Sequence, residues 1–235
     1  MSEPEPTATA LITGGAGGLG TAVSEAFVAD GWRVVVPSRP GAGSGIDSAP
    51  AQVELVSADL FEAAGAARAV ERATREAGAP LRAVVNLVGG YAAGARIDAT
   101  PIEDFEAQFR LNLRPTYLVV SAALPHLIAA GAGAVVCVSS RAALQPFSGA
   151  AGYIASKAAV IAFAQSVAVE YRDEGVRCNT VLPSIIDTPA NRAAQPSADA
   201  SRWVAPERIA RVIRFLCSPD SEPTSGAAVP VYGRA

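Results

Sequence analysis

Thr13-Gly14-Gly15-Ala16-Gly17-Gly18-Leu19-Gly20 is the stretch that decides how this chain folds. The apolar run Ala8–Thr13 leads into it and reads as a buried strand. A segment of helical period leaves it, with Leu19, Val23, Ala26 and Phe27 on one face and Gly31 placed beyond its end as a C-cap. Glycine tolerates positive φ and lets a ligand approach the backbone closely. A helix N-terminus adds free N–H groups and positive potential. Strand, glycine turn and helix in that order predict a seat for the pyrophosphate of a dinucleotide, with Thr13, Gly14, Gly17, Gly18, Leu19 and Gly20 as candidate contacts. The spacing is T-G-x-x-x-G-x-G, and the lysine of a P-loop is missing.

The same alternation continues along the chain. Apolar runs recur at Arg33–Val36, Val53–Val56, Leu81–Val88, Gly133–Ser139, Val176–Leu182 and Ala227–Val231. Between them lie segments of helical period at Ala63–Ala77, Ile102–Ala130, Ala150–Asp173 and Pro206–Cys217. Seven strands alternating with helices predict an α/β fold: a doubly wound, mainly parallel sheet with helices on both faces. No linker, repeat or composition break divides residues 1–235, so one domain is expected. Pro37–Pro50 and Ser184–Ser201 read as irregular, and a loop of the second kind is often functional.

Composition sets the outer limits. Of 235 residues, 50% are apolar and 17% charged, which excludes a disordered chain. A net charge of -3 without a basic stripe argues against nucleic acid. No run reaches the ~18 apolar residues that span a bilayer. The opening MSEPEPTATA lacks the basic and apolar regions of a secretory signal. Three unpaired cysteines, Cys137, Cys178 and Cys217, fit free thiols in the cytoplasm. The single histidine, His126, is remote from any serine motif and excludes a His-rich metal site, so no metal is expected.

The second strand runs out in Val36-Pro37-Ser38-Arg39-Pro40, and the nearest carboxylate, Asp47, lies deep in the following loop. An acid at that tip would hold the ribose 2′-hydroxyl of NAD, whereas an arginine accommodates the 2′-phosphate of NADP. Ser38 and Arg39 therefore favour NADP over NAD; the alternative for Arg39 is a solvated loop residue. After the third strand, Asp59 either accepts from the adenine amino group or caps the next helix.

Tyr153-Ile154-Ala155-Ser156-Lys157 places a phenol and an ammonium at i and i+4, on one side of a helix. A phenol of pKa ~10 is a poor base at neutral pH, and a neighbouring cation lowers it. Of the 19 basic residues, 18 are arginine, so Lys157 is the chain's one lysine. Ser140 ends the fifth apolar run, where ligands of open α/β sheets bind, and can hydrogen-bond a carbonyl oxygen. Asn86 lies at or close to the end of the fourth run, and Asn112 sits between leucines inside a long helix, where an amide needs a partner.

Taken together, these residues resemble the short-chain dehydrogenase/reductase family. The matches are Thr13-Gly14-x-x-x-Gly18-x-Gly20, Asn86-x-x-Gly89, Asn112, Ser140, Tyr153-x-x-x-Lys157, and Asn179-x-x-x-Pro183 running to Thr188, in family order across the whole chain. The resemblance implies a Rossmann fold, an NAD(P) cofactor and hydride transfer to or from a small carbonyl, alcohol or pterin-like ring. It implies Tyr153 as general acid/base, Lys157 lowering its pKa, Ser140 orienting the substrate oxygen and Asn112 supporting a water that relays protons to Lys157. Leu60, Asn86, Val88, Gly89, Pro183, Ser184, Ile186 and Thr188 join the expected cofactor contacts on the same ground. Three positions depart from the pattern: Leu87-Val88 replaces Asn-Ala, Ser184 replaces the glycine after Pro183, and Ala143 stands where glycine is common. Gly89-Gly90-Tyr91, the loop Leu182–Arg192 and Trp203 look like the dihydropteridine reductase branch. Tyr91 and Trp203 are accordingly expected at the substrate, within a loop of about residues 184–203; the plain reading of Tyr91 is a surface aromatic. The two long helices, apolar on more than one face, imply a homodimer or homotetramer. A non-catalytic nucleotide sensor on the same fold is the alternative; an epimerase or dehydratase would need a larger sugar-nucleotide domain.

Overall fold

Each apolar run forms a strand: β1 (Thr9–Thr13), β2 (Arg33–Ser38), β3 (Val53–Ser57), β4 (Leu81–Asn86), β5 (Gly133–Val138), β6 (Val176–Pro183) and β7 (Ala228–Val231). The helices are α1 (Gly18–Ala29), α2 (Ala63–Ala73), α3 (Ile102–Asn112), α4 (Arg114–Ala129), α5 (Ala151–Glu170), α6 (Pro189–Ala194) and α7 (Pro206–Cys217). This computed structural model describes residues 6–39, 41 and 52–234; Asp47 lies outside them.

The strands form one sheet in the order β3-β2-β1-β4-β5-β6-β7, and every neighbouring pair is parallel. The sequence left room for an antiparallel strand, and none occurs among the described residues. Side chains alternate across the sheet with the period of a strand. Leu11, Val35, Val84, Val135 and Cys137 face a core closed by α2, α4 and α5. Ala10, Ile12, Val34, Val36, Ala83, Val85 and Val136 face a second core closed by α1 and α7. Both sides of the sheet are thus buried. The winding reverses between β1 and β4, and the carboxyl ends of these two strands open a crevice there.

Local chemistry sets the element ends. Gly31 takes φ +77, and its N–H and that of Trp32 close on Val28 O and Phe27 O. That is a Schellman ending for α1, completed by the Phe27–Trp32 edge contact at 5.2 Å. Strand β4 stops at Asn86, two residues short of the expected end, because the N–H groups of Leu87 and Val88 turn to Thr13 Oγ1 at 3.1 and 3.4 Å. The expected helix 102–130 is two helices. Pro115 has no N–H for the carbonyl of Leu111 and crowds it, so the chain breaks at Leu113. Asn112 therefore stands at a helix end and not in an interior. Helix α5 is long and apolar enough by composition to cross a membrane, yet its face from Gly152 to Ala168 is buried against the sheet and α3.

Candidate active site

The glycine turn is built around backbone contact. Gly14 adopts φ +68, and a Cβ at Gly20 would lie 2.0 Å from Gly14 O. Helix α1 starts after Gly17 with no side-chain cap and no acid in its first turn, so its N-terminal positive potential is uncompensated by protein groups. A cavity of 430 Å³ opens beside it, walled by Gly14, Ala16, Gly17, Ser38, Arg39, Ala58, Leu60, Val88 and Gly89 among others. Thr188 closes the turn from the far side: a Cβ at Gly18 would meet its methyl at 2.8 Å. Residues far apart in sequence are thus gathered at the carboxyl ends of β1, β2, β4 and β6.

Next to this cradle lie Ser140, Tyr153 and Lys157. Ser140 follows β5, accepts from Ala142 N–H at 3.2 Å and turns its own O–H to the Tyr153 phenol. The Ser140 hydroxyl hydrogen-bonds the Tyr153 phenol and pulls its pKa down. Burial outweighs that effect, and with the adjacent Tyr91 it leaves the phenol above its ordinary 10.0. Lys157 is 6% exposed and donates from Nζ to Val138 O at 3.0 Å. Burial pushes its ammonium down to about 8. The sequence reading had Lys157 lowering the phenol pKa. The ammonium is engaged with the Val138 carbonyl, and the phenol stands raised. Asn112 holds the neighbourhood together: Oδ1 accepts from Gly90 N–H at 2.9 Å and Nδ2 donates to Ser156 Oγ at 3.0 Å. Those two bonds fix its amide between the Gly90 turn and α5.

The chain matches the short chain dehydrogenase family over residues 8–199. It belongs to that family. It is 32% identical to 2-(R)-hydroxypropyl-CoM dehydrogenase of Xanthobacter autotrophicus over 242 residues, covering 95% of this chain and 96% of the relative. It is 32% identical over 238 residues to the 3-oxoacyl-[acyl-carrier-protein] reductase MabA of Mycobacterium tuberculosis, covering 98% and 93%. The solved structure of ElxO with NADP bound superposes with a TM-score of 0.89 at 25% identity, covering 97% of this chain and 98% of that one. The protein is thus an NAD(P)-dependent short-chain dehydrogenase/reductase, which sets aside the reading as a non-catalytic sensor.

This short-chain dehydrogenase has a cleft that fits a dinucleotide on its own structural terms. An uncapped helix end faces glycines that leave no room for side chains, and Asn86 Oδ1 at the end of β4 is buried without a hydrogen-bond partner. Gly14, Gly17, Ser38, Arg39, Leu60, Val88 and Gly89 line the crevice; Thr13, Gly20 and Asn86 are buried at the strand ends and turn behind it, Gly18 faces Thr188, and Leu19 packs against the core under α1. Asp59 stands between two residues of the cavity wall, Ala58 and Leu60, with Oδ1 accepting from Phe61 N–H at 3.0 Å. It does not cap α2, whose N-cap is Glu62.

The late loop is more ordered than its composition suggests. Thr188 Oγ1 accepts from Asn191 N–H and caps α6, with Pro189 next, the usual start of a helix. Ile186 bridges Val204, and Arg192 forks onto Asp187 at 2.5 and 2.8 Å. Pro183 closes β6, and Ser184 Oγ donates to Tyr232 O at 2.7 Å. Trp203 lines a separate cavity of 610 Å³ with Asp187 and Arg192 and is not brought to Tyr153. Tyr91 is brought there: its ring stands edge-on to Tyr153 at 5.0 Å, 62% exposed. Sequence reading passed over Ser139 and Ser156. Ser139 Oγ donates to Lys157 O at 2.7 Å and fixes the helix that carries the phenol. The doubled serine Ser139-Ser140 was the one available signal.

Proposed function

We propose that the protein interconverts a secondary alcohol and a ketone, with Tyr153 as general acid and base and NADP(H) as the preferred cofactor. The observation that carries this reading is the Ser140–Tyr153–Lys157 cluster at the ends of β5 and α5, beside the glycine cradle. A bound nicotinamide supplies the hydride donor or acceptor. Ser140 turns its hydroxyl hydrogen from the phenol to the substrate oxygen and positions that oxygen at Tyr153 Oη. On reduction that oxygen takes the phenol proton; on oxidation it returns it. The raised pKa keeps the phenol protonated in the resting protein, which suits the acid direction. Thr13, Gly14, Gly17, Gly18, Leu19, Gly20, Leu60, Asn86, Val88, Gly89, Pro183, Ser184, Ile186 and Thr188 hold the dinucleotide, and the segment 184–203 shapes the substrate side. Both named relatives act on a hydroxyl or oxo compound, which supports the substrate class. Tyr153→Phe tests the assignment: turnover should fall by at least roughly 10³-fold with the circular dichroism spectrum intact. Unchanged turnover ends the mechanism.

The NADP preference rests on Ser38 and Arg39 in the cavity wall and on the lack of a carboxylate beside them among the described residues. A clear NADH preference in kcat/KM overturns it. A pterin-like ring is the second reading, favoured by the exposed face of Tyr91 beside the phenol. A second copy of the chain belongs on the outer faces of α3, α4 and α5. There Tyr117 is exposed and meets Phe163 in a tilted ring contact at 5.9 Å, and an apolar cleft of 860 Å³ also takes in Phe109 and Leu113. Light scattering should give a dimer or tetramer. Three buried thiols fit a reducing compartment, the cytoplasm.

A further inference from the structure

We infer that Arg141 recognises a carboxylate on the substrate, so that the preferred compounds are hydroxy or oxo acids. This rests on the proposed carbonyl–alcohol chemistry at Ser140 and Tyr153. Six described arginines are at least partly buried: Arg33, Arg72, Arg82, Arg141, Arg177 and Arg214. Five of them give their guanidinium to a carboxylate or a carbonyl. Arg141 is the exception. Among the described residues its side chain has no hydrogen bond and no ion pair; its one contact is the ring of Tyr232, 5.7 Å from Cζ to the centroid. Removing five N–H donors from much of their water without a partner is costly, and an incoming oxyanion repays that cost.

Position gives this free cation its meaning. Arg141 is covalently next to Ser140. Tyr232 follows β7, and its carbonyl is held by Ser184 Oγ at the end of β6. The guanidinium is therefore stationed across the carboxyl ends of β5, β6 and β7, at the root of the segment 184–203. The Tyr232 ring restricts the side chain while taking none of its N–H donors in a hydrogen bond, so less flexibility is lost when a ligand docks. One planar fork matches one carboxylate.

The test uses the full chain with NADPH. Pyruvate, acetoacetate and levulinate are compared with their methyl esters, so that the acid is tried at three distances from the carbonyl. At least one acid should exceed its ester in kcat/KM. Arg141→Gln should cut that acid-to-ester ratio roughly 10- to 100-fold, and Arg141→Lys should fall between. A wild-type protein that favours no acid, or a ratio unmoved in Arg141→Gln, overturns the inference. Lack of turnover on all six compounds counts against the carbonyl chemistry itself. Calorimetric titration with the same three acids then decides Arg141 separately: binding at least tenfold weaker in Arg141→Gln supports it, and equal or absent binding overturns it. If Arg141→Gln does not fold, Arg141→Lys carries both comparisons.

Discussion

Thr188 rests its methyl on Gly18, so the first turn of α1 and the loop that follows β6 share one van der Waals contact. A Cβ at Gly18 would lie 2.8 Å from that methyl. Gly18→Ala should therefore lift the segment that begins at Thr188 and raise KM for NADP(H) roughly 10-fold, with little effect on Tm. Thr188→Ser removes the methyl, and Thr188→Ser combined with Gly18→Ala should recover most of the loss. Additive effects in that double-mutant cycle would mean the contact carries no coupling.

Lys157 makes the fold less stable at neutral pH. Its folded pKa of about 8 lies below the ordinary 10.5, so the unfolded chain binds more protons between those values and stability rises with pH across that window. The penalty is fully present below pH 8 and gone above 10.5. It is on the order of 3 kcal/mol, the free-energy equivalent of that shift. Lys157→Met should abolish turnover and yet gain about 1–2 kcal/mol in urea unfolding at pH 7. That gain should shrink toward zero as the pH is raised. An equal gain at both ends of the range would refute the electrostatic account.

The phenol at position 153 should respond to its neighbour. Tyr91 contributes to raising it, and removing that ring also readmits water. In ligand-free protein, Tyr91→Ala should lower the midpoint at which the Tyr153 phenolate absorbs. The signal is isolated by subtracting the same variant carrying Tyr153→Phe. A midpoint that rises or stays fixed contradicts the contact's electrostatic role.

Cofactor choice should turn on one side chain at the end of β2. Ser38→Asp places a carboxylate in the wall of the 430 Å³ cavity, where it would repel a 2′-phosphate and accept from a 2′-hydroxyl. The NADPH-to-NADH ratio of kcat/KM should fall roughly 10- to 100-fold. An unchanged ratio would place the 2′ position elsewhere.

The sheet was legible because burial on both faces writes strands as unbroken apolar runs, and Pro206–Cys217 was readable to the residue. Pro37 did not stop β2, because it lies past the last position paired with β1 and leaves no donor missing there. Two prolines in the segment 102–130 look alike on paper. Pro115 divides it and Pro125 is absorbed inside α4, a difference set by packing and not by local preference. Helix α6 was hidden among polar residues, although Thr188-Pro189 carried its start signal. At the site, the glycines, Ser140, Tyr153 and Lys157 were readable from residue type and spacing. The direction of the phenol shift was not: burial sets it, with Tyr91 alongside, and both come from tertiary packing around α5.

Because the chain holds one lysine and the fold shelters it, the rest of the folded surface offers an acylating reagent no side-chain amine. Each molecule thus carries a built-in chemical reporter. The rate at which position 157 is acylated measures how often the crevice opens, and whatever fills that crevice should slow it.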